Sequence, residues 1–256
     1  MAFDAKKVKE ELIVWVRDYF KNNASEQTKA VIGVSGGKDS TVSAALLAEA
    51  LGKDRVYPVL MPQGEQFDID VSRAVCEYLG IEGITVNIEE AVDAIYDPLK
   101  LCGLDLTPVT TSNTPARIRM AVLYAIAGSI PGGGRVVNNC NLSETYVGYS
   151  TKFGDAAGDF SLLCNLTVTE VKALGYELGL PAEFIEKVPI DGLQDKTDED
   201  NLGFTYAELD EYIRNGSCHG VNVYEKIAKL HKNSLHKLRP IPAYDPDIQI
   251  EGKWEV

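Results

Sequence analysis

Apolar and polar residues follow helical spacing at the start of the chain and strand-like runs after it. The first apolar positions, at helical spacing, are Val8, Leu12, Trp15, Val16 and Tyr19. This pattern predicts an amphipathic N-terminal helix. Residues 30–34 form a short apolar run, and an Ala- and Leu-rich stretch follows up to Leu51. We therefore expect a buried strand that leads directly into a helix.

The same alternation continues through the first half of the chain. The pattern predicts further strands over 55–61, 84–88 and 135–139, and helices over 70–79, 89–96 and 115–130. Strands that alternate with helices indicate crossover connections and a parallel sheet. We expect an α/β fold of the Rossmann-like type, with helices on both faces of the sheet. Ligands in such sheets bind at the carboxyl ends of the strands, near a topological switch point.

The second half of the chain has a different character. Residues 151–165 are rich in Gly, Asp and Ser and are predicted to form a loop that lines a site. Helices are expected over 169–178, 206–213 and 221–231. The charged stretch 191–201 is predicted to be either disordered or a lid. No linker interrupts the chain, so we expect a single domain over residues 1–256.

The composition and charge of the chain argue against several classes of function. The chain has 256 residues and a net charge of −13, which argues against non-specific binding to nucleic acid or to an anionic membrane. No apolar run reaches the roughly 20 residues of a membrane helix, and the N-terminus lacks the features of a signal peptide. The five cysteines form no C-x-x-C pair. Reduced thiols in a cytoplasmic protein are the expectation.

The motif SGGKDS, from Ser35 to Ser40, follows the first predicted strand. It is not a Walker loop, because Ile32 stands where the first glycine should be and Asp39 where Ser or Thr should be. Two glycines before a helix allow close approach to a phosphate. A carboxylate there is useful when magnesium lies between it and the phosphates. The alternative is a Gly-rich turn with an aspartate near a helix N-cap.

SGGKDS resembles the pyrophosphate loop of the ATP pyrophosphatase superfamily, which has the adenine nucleotide alpha hydrolase-like fold. Members activate a group with AMP and release pyrophosphate. Four further stretches resemble the ammonia-dependent NAD synthetases, over about residues 30–240. They are NTPARIRM, NLSETYVGYSTKFGDAAGD, DGLQDKTDEDNLGFTYAELDEYI and SLHKLRP.

The resemblance implies a ligase of NAD biosynthesis. Its substrates would be ATP, deamido-NAD (nicotinic acid adenine dinucleotide) and ammonia, with Mg²⁺ as cofactor, and it would act as a cytoplasmic homodimer. The glutamine-using relatives carry a large extra domain for which 256 residues leave no room. Two alternatives stay open: another adenylating amidotransferase of the superfamily, and a nucleotide-binding relative without catalysis.

The resemblance also assigns roles to individual residues. Asp155 would be the catalytic acid near ammonia, and Asp39 and Glu144 would bind the metal. The residues expected to bind deamido-NAD are Arg117, Lys152, Asp159, His236 and Lys237. Those expected to bind ATP are Gly33, Val34, Ser35, Gly36, Gly37, Lys38, Asp39, Ser40, Asn139, Val168 and Ile190.

Each role has a plainer alternative. Glu144 could be a helix-capping residue, and Asp155 could serve only to shape a tight turn. Arg117 could be a solvated helix arginine, and the HKLR segment a solvated basic tail.

Three ATP positions depart from the family. Val168 stands where many members carry a phosphate-binding lysine, Ile190 where Ser or Thr is usual, and Asn139 where Thr is usual. Lys172 or Lys187 would be the candidates to replace the missing lysine.

Overall fold

The computed structural model describes residues 3–65, 69–186, 197–218 and 220–244. Its strands are β1 (Lys29–Gly33), β2 (Val56–Leu60), β3 (Ile84–Thr85), β4 (Gly134–Asn138) and β5 (Phe160–Ser161). They form one parallel sheet in the order β3-β2-β1-β4-β5. The chain winds outward from β1 in one direction and then in the other, so the switch point lies between β1 and β4.

The helices of the described residues follow in chain order. They are α1 (Ala5–Asn23), α2 (Lys38–Leu51), α3 (Ile69–Leu79), α4 (Glu89–Leu101), α5 (Pro108–Ser129), α6 (Leu142–Val147), α7 (Val168–Glu177), α8 (Ala182–Ile185), α9 (Asp198–Leu202), α10 (Tyr206–Asn215) and α11 (Val221–Leu238). None of these helices combines the length and apolarity that a membrane crossing requires.

The buried sheet separates two apolar cores. Ala30 and Ile32 of β1 face the core formed with α1, α2, α3, α7 and α8. Val31, between them, faces the core formed with α5 on the opposite side. Successive strand residues point to opposite faces, and all three have no solvent exposure. The prediction of helices on both faces of a parallel sheet is therefore confirmed.

A third apolar cluster lies outside the sheet and joins the C-terminal helices to α6 and α7. Its buried members are Val147, Val168, Leu202, Phe204, Tyr206, Leu209 and Ile227. Three helices of this part begin with a capping box: α7, α9 and α10. The capping threonines fix where each helix starts and so fix where the cluster meets the rest of the molecule.

Several predicted boundaries were wrong. The helix expected to start at Pro115 begins at Pro108, because Thr107 caps it and Pro108 takes the first helical turn. The loop predicted over 151–165 contains β5, which is only two residues long. The third strand ends at Thr85 rather than at 88. Within the stretch expected to be disordered or a lid, residues 198–201 belong to α9, and 191–196 lie outside the described residues.

Candidate active site

The phosphate-loop motif lies at the carboxyl end of β1, at the switch point of the sheet. The strand ends at Gly33 and α2 begins at Lys38. Gly36 has a φ of 77°, and a Cβ at this position would stand 3.0 Å from the backbone nitrogen of Ser72. A residue with a side chain would be strained and crowded there. The sequence therefore allows the loop to run tightly into the N-terminus of α2, whose dipole favours anions.

Two serine hydroxyls hold the loop in shape. The Ser35 amide donates to Ser40 Oγ at 3.2 Å, and Ser40 Oγ donates to the Gly37 carbonyl at 3.1 Å. The hydroxyls of Ser35 and Ser40 are also 3.2 Å apart. These residues were expected to contact phosphate through their hydroxyls. In the structure the hydroxyls bind the loop itself and position its backbone.

Lys38 points inward and meets both predicted metal ligands. Its Nζ lies 2.8 Å from Asp39 Oδ2 and 3.8 Å from Glu144 Oε1. The lysine is 5% exposed, and each carboxylate side chain is 18% exposed. The structure thus brings together Asp39 and Glu144, which are far apart in sequence, around one positive charge.

Asn141 connects the two carboxylates through a single amide. Its Nδ2 donates to Asp39 Oδ1 at 3.1 Å, and its Oδ1 accepts from the Glu144 amide at 2.9 Å as the N-cap of α6. The residue has no solvent exposure. The alternative for Glu144, a capping role, does not describe this geometry, because the cap is made by Asn141 and leaves the Glu144 side chain free to face Lys38.

Two further residues, Asp198 and Tyr206, shape the electrostatics of this group. Burial lowers the pKa of Lys38, but Asp39 and Glu144 together raise it above its ordinary value. Burial, then Asp39, raise the pKa of Glu144 far above its usual range, and Asp198 adds to that rise. The Tyr206 hydroxyl donates to Asp198 Oδ2 at 3.3 Å. The carboxyl groups of Asp39, Glu144 and Asp198 therefore gather around the single Lys38 ammonium at this end of the sheet.

The end of β4 supplies the other wall of the cleft. Asn139 Nδ2 donates to the Gly33 carbonyl at 3.0 Å, which ties β4 to the start of the phosphate loop. Its Oδ1 is buried and accepts no hydrogen bond from any residue that the structure describes. A buried acceptor without a donor is costly. The atom is therefore suited to accept from a bound ligand.

Asp155 lies in a turn that is fastened to β4. Asn138 Nδ2 donates to the Asp155 carbonyl at 2.8 Å, and Cys140 Sγ donates to the same carbonyl at 3.2 Å. Asp155 Oδ1 accepts from the Thr151 amide at 2.8 Å. Burial, then Asp155, Glu144 and Asp39 in turn, raise the pKa of the Cys140 thiol. Cys140 thus lies within electrostatic reach of Asp155 and of both Glu144 and Asp39.

Four basic residues predicted to bind the dinucleotide surround this turn. Lys152 Nζ donates to the His236 carbonyl at 2.8 Å, and Arg117 Nε donates to the Lys152 carbonyl at 3.3 Å. Lys237 Nζ donates to the carbonyls of Gly148 and Ser150, each at 2.7 Å. Burial lowers the pKa of Lys237, Asp155 raises it and Arg117 lowers it further. The structure therefore brings Lys237 close to Asp155 and Arg117, whereas the His236 ring lies 2.9 Å from the Asn233 carbonyl of its own helix.

Asp159 is placed differently from the other predicted substrate residues. Its Oδ2 accepts from the Val136 amide at 2.7 Å and its Oδ1 from the Tyr124 hydroxyl at 3.2 Å. The Tyr19 hydroxyl donates to its carbonyl at 3.2 Å. These contacts connect β4 with α1 and α5. Its observed partners belong to the protein's own framework and not to the basic group.

Three predicted ATP-binding residues differ from those usual in the family, and their surroundings in the structure differ as well. Val168 is 5% exposed, and its side chain packs in the apolar cluster with Leu202 and Phe204. Its amide donates to Ser143 Oγ at 3.0 Å. Lys172 lies one turn further along α7, and its Nζ is 2.6 Å from Glu186. Asn139 follows β4 and contacts the Gly33 carbonyl, whereas Ile190 and Lys187 lie outside the described residues.

Sequence reasoning missed three residues of this site. Asp198 and Tyr206 belong to a quoted motif, but only folding brings them to Lys38, whose Nζ lies 5.7 Å from the centre of the Tyr206 ring. Phe153 has a φ of 63° and is 58% exposed. An aromatic residue held in that conformation is strained, and such residues cluster at functional sites. In the sequence, only the neighbouring Lys152 and Gly154 pointed to Phe153.

The residues present fit a magnesium ion. Asp39 and Glu144 already share one cation, the Lys38 ammonium, so their oxygens converge on a single position. Among the described residues no group of three or more metal-binding side chains gathers. Magnesium commonly takes one or two carboxylates and completes its shell with phosphate oxygens and water. A pair of carboxylates beside a phosphate loop meets that requirement.

Comparison with known proteins identifies relatives over nearly the whole chain. The model of the NAD synthase family matches residues 8–241. The NH(3)-dependent NAD(+) synthetase of Pyrococcus furiosus is 37% identical over 257 residues, covering 94% of this chain and 97% of that protein.

Solved structures show the same architecture. The NMN synthetase of Francisella tularensis has a TM-score of 0.85 and 33% identity, covering 96% of this chain and all of that one. The NH3-dependent NAD synthetase of Campylobacter jejuni has a TM-score of 0.76 and 26% identity, covering 95% and 100%. The predicted fold class and the family resemblance are thereby confirmed.

The double role of Asn141 generates a prediction. Asn and Asp are equivalent helix caps, so Asn141→Asp keeps the cap of α6. It also turns a carboxylate toward Asp39 Oδ1 in place of an amide donor. We expect the free energy of unfolding to fall by about 1–3 kcal/mol, measured by urea denaturation at neutral pH without metal.

Asp4→Asn is the matched control, since Asp4 caps α1 by accepting from the Lys7 amide at an exposed position. That exchange should change the free energy of unfolding by less than about 0.5 kcal/mol. An Asn141→Asp protein as stable as the parent would show that the amide does not support Asp39.

Proposed function

Because the chain belongs to the NAD synthase family, we propose how its own residues carry out the ATP-dependent amidation of deamido-NAD by ammonia. The reaction yields NAD, AMP and pyrophosphate. The observation that carries the proposal is the convergence of Asp39, Glu144 and Lys38 at the end of the phosphate loop, next to the turn that holds Asp155. One part of the cleft suits a metal-bound polyphosphate, and the other suits an acyl group and its nucleophile.

A carboxylate must be activated before ammonia can replace its oxygen. In the first step, an oxygen of the nicotinate carboxylate attacks the α-phosphorus of ATP, and the bond to pyrophosphate breaks. In the second step, the ammonia nitrogen attacks the acyl carbon, gives up a proton, and displaces AMP. The protein must therefore hold two nucleotides in line and stabilise a departing anion.

The phosphate end of the cleft is formed by the loop from Gly33 to Ser40. Gly36 and Gly37 allow the backbone to approach the phosphates, and the start of α2 directs its dipole at them. Asp39 and Glu144 would hold the metal through oxygens that already converge. Magnesium, when bound there, supplies positive charge to the phosphate oxygens. Asn139 Oδ1, a buried acceptor, would receive a hydrogen bond from the nucleotide.

The acceptor end of the cleft is basic, although the whole chain is acidic. Arg117, Lys152, His236 and Lys237 would bind the anionic dinucleotide. Lys237 donates both of its observed bonds to carbonyls of the 148–150 segment, so it also holds the turn before Asp155 in place. Asp159 would support this end through β4 and α5, where its contacts lie.

Asp155 is the proposed acid–base residue for ammonia. One of its oxygens is fixed by the Thr151 amide, which supports the alternative of a turn-shaping role for that oxygen. The other oxygen, Oδ2, lies 3.8 Å from Cys140 Sγ. The same thiol is within electrostatic reach of Glu144 and Asp39. An exposed carboxylate so placed can attract ammonium and accept its proton, which leaves the nucleophilic amine.

A second candidate substrate is the corresponding mononucleotide. The NMN synthetase of F. tularensis has a higher TM-score and identity to this chain than the C. jejuni NAD synthetase has. Both reactions amidate a nicotinate carboxylate and need the same phosphate end of the cleft. They differ in whether an adenylate extends beyond the basic group.

One assay tests both substrates. The purified protein is incubated with ATP, magnesium and ammonium, and with either deamido-NAD or nicotinate mononucleotide. We expect AMP, pyrophosphate and NAD from deamido-NAD, with a higher kcat/KM than for the mononucleotide. A reversed preference would assign the second function. AMP from neither acceptor would contradict the proposal as a whole.

We further propose that the enzyme is one domain over the whole chain and works as a cytoplasmic homodimer. All five cysteines are free thiols, as suits a reducing compartment. Val14 and Trp15 on α1 and Tyr124 on α5 are exposed apolar side chains that would be covered in a dimer. Sedimentation velocity of the parent and of Trp15→Glu tests the interface.

The metal proposal predicts that Asp39→Asn and Glu144→Gln each lose nearly all turnover while the fold survives. Both changes keep the size of the side chain and remove its negative charge; in Asp39→Asn the amide oxygen can still accept from Asn141, but the second acceptor for Lys38 is lost. Steady-state assays at saturating magnesium, with circular dichroism to verify folding, are the measurement. Asp97→Asn, an exposed acid on α4 paired with Lys100, should behave as the parent. Normal turnover in either site variant would refute the metal role.

The role of Asp155 predicts a specific kinetic pattern for Asp155→Asn. The amide can still accept from Thr151, but it cannot take a proton. We expect kcat/KM for ammonium to fall at least tenfold, within the range of about 10²–10⁴ for lost acid–base catalysis. Raising the pH should recover part of the loss, because more of the ammonium is then free ammonia. A parent-like kcat/KM at all pH values would leave only the turn-shaping role.

A further inference from the structure

Asp210 is a buried carboxylate that the proposed mechanism does not use. It lies on α10 one turn after Tyr206, so both residues share the buried face of that helix. Asp210 is 6% exposed, and its observed partners are two hydrogen-bond donors, the Ser143 hydroxyl and the Thr169 amide. Carboxylates are rarely buried to this degree, and burying one is costly unless donors compensate it. Packing alone does not explain an acid at this place.

Ser143 connects this carboxylate to the helix of the proposed metal ligand Glu144. The serine has no solvent exposure. Its hydroxyl donates to Asp210 Oδ1 and accepts from the Val168 amide at 3.0 Å. Asp210 Oδ2 accepts from the next amide of α7, that of Thr169, at 2.8 Å. One hydroxyl thus joins α6 to both α7 and α10, and Glu144 is the residue that directly follows it.

The two ends of α6 are held by different parts of the protein. The last turn is held by α11, whose Ser234 hydroxyl donates to the Val147 carbonyl at 2.8 Å. The first turn carries Glu144, and two hydrogen-bonding side chains fasten it, the N-cap Asn141 and Ser143. Magnesium requires oxygen ligands at about 2.0–2.1 Å in nearly octahedral geometry. A small shift of the first turn would therefore take a ligand out of range.

α7 and α10 are also joined at a second place, which does not involve α6. Arg214 of α10 donates from Nε to Glu170 Oε1 at 2.8 Å and from Nη2 to the Asn165 carbonyl at 2.9 Å. Glu170 belongs to the first turn of α7. The same pair of helices therefore has two links, and of these the Asp210 link is the one that extends to Ser143.

We propose that Asp210, acting through the Ser143 hydroxyl, is a positioning residue that fixes the Glu144 carboxylate where it binds magnesium. This inference rests on the proposed function for the identity of the metal. Loss of a group that holds a metal ligand in place typically lowers metal affinity or activity by about 10–100-fold. The role is geometric: the hydrogen bond to Ser143 carries it, and the negative charge of Asp210 does not.

Four variants separate this role from general support of the fold. Ser143→Ala and Asp210→Ala each remove the link to α6. Asp210→Asn keeps it, because the carboxamide oxygen accepts from the Thr169 amide while the NH2 group donates to Ser143 Oγ. Arg214→Gln is the matched control, since it weakens the contact between α7 and α10 at the second place only. Urea denaturation of each variant verifies folding and ranks the stabilities.

Binding of Mn²⁺ in place of magnesium gives the affinity without turnover, since carboxylates suit both ions. The electron paramagnetic resonance signal of the free ion reports it. We expect the affinity to fall by at least about tenfold in Ser143→Ala and Asp210→Ala. It should stay within about threefold of the parent in Asp210→Asn and Arg214→Gln. In steady-state assays the two alanine variants should need more magnesium for half-maximal rate, with a smaller change in kcat at saturating magnesium.

Parent-like Mn²⁺ affinity in folded Ser143→Ala overturns the proposal; if that variant does not fold, Asp210→Ala gives the same comparison. An equal loss in Arg214→Gln also overturns it, because the effect then belongs to looser helix packing. A tenfold loss in Asp210→Asn would replace the geometric role with a charge effect. A parent that binds no Mn²⁺ and needs no magnesium for turnover would instead remove the metal site of the proposed function. The parent thus tests the proposed function, and the ratios between variants test the positioning role.

Discussion

The side-chain amide of Asn141 is the constraint on which the rest of the site depends. It donates a hydrogen bond to Asp39, which lies in the first turn of α2, and it caps α6, the helix that carries Glu144. Two carboxylates in a mostly buried place repel each other, and each loses hydration. Lys38 and the Asn141 donor offset that cost. The protein thus holds the two proposed metal ligands side by side before any metal or nucleotide is present.

The sequence predicted the central strands of the sheet better than its shortest strand and the ends of its helices. Residues 30–34 were recognisable as a strand because they form an apolar run that the glycines of SGGKDS follow, and β1 is indeed buried on both faces. β5 was missed because two residues cannot show a period. The start of α5 was placed seven residues late, since Pro115 resembles a helix start, although Pro108 holds that position. Short elements and their caps depend on partners that lie far away in sequence.

The site was predictable where a local motif carries the chemistry. The structure places the phosphate loop next to Glu144, and Lys237 close to Asp155; the functional roles assigned to these residues stay predictions. Asp198 and Tyr206 could not be found from spacing, because α9 and α10 reach Lys38 only through the packing of the C-terminal cluster. The same packing explains Val168. A residue that appears as a lost phosphate contact in the sequence is a buried apolar neighbour of Leu202 and Phe204 in the fold.

One buried carboxylate, that of Asp210, connects the C-terminal cluster to the helix that carries Glu144. Asp210 of α10 is 6% exposed and accepts hydrogen bonds from the Ser143 hydroxyl and the Thr169 amide. Ser143 also receives the Val168 amide and directly precedes Glu144. A buried carboxylate requires such donors, so α6, α7 and α10 are fixed relative to one another. The position of Glu144 therefore depends on α7 and also on α10, whose Asp210 lies 67 residues beyond Ser143. A side chain on a six-residue helix, such as the proposed metal ligand Glu144, would otherwise have little to hold it.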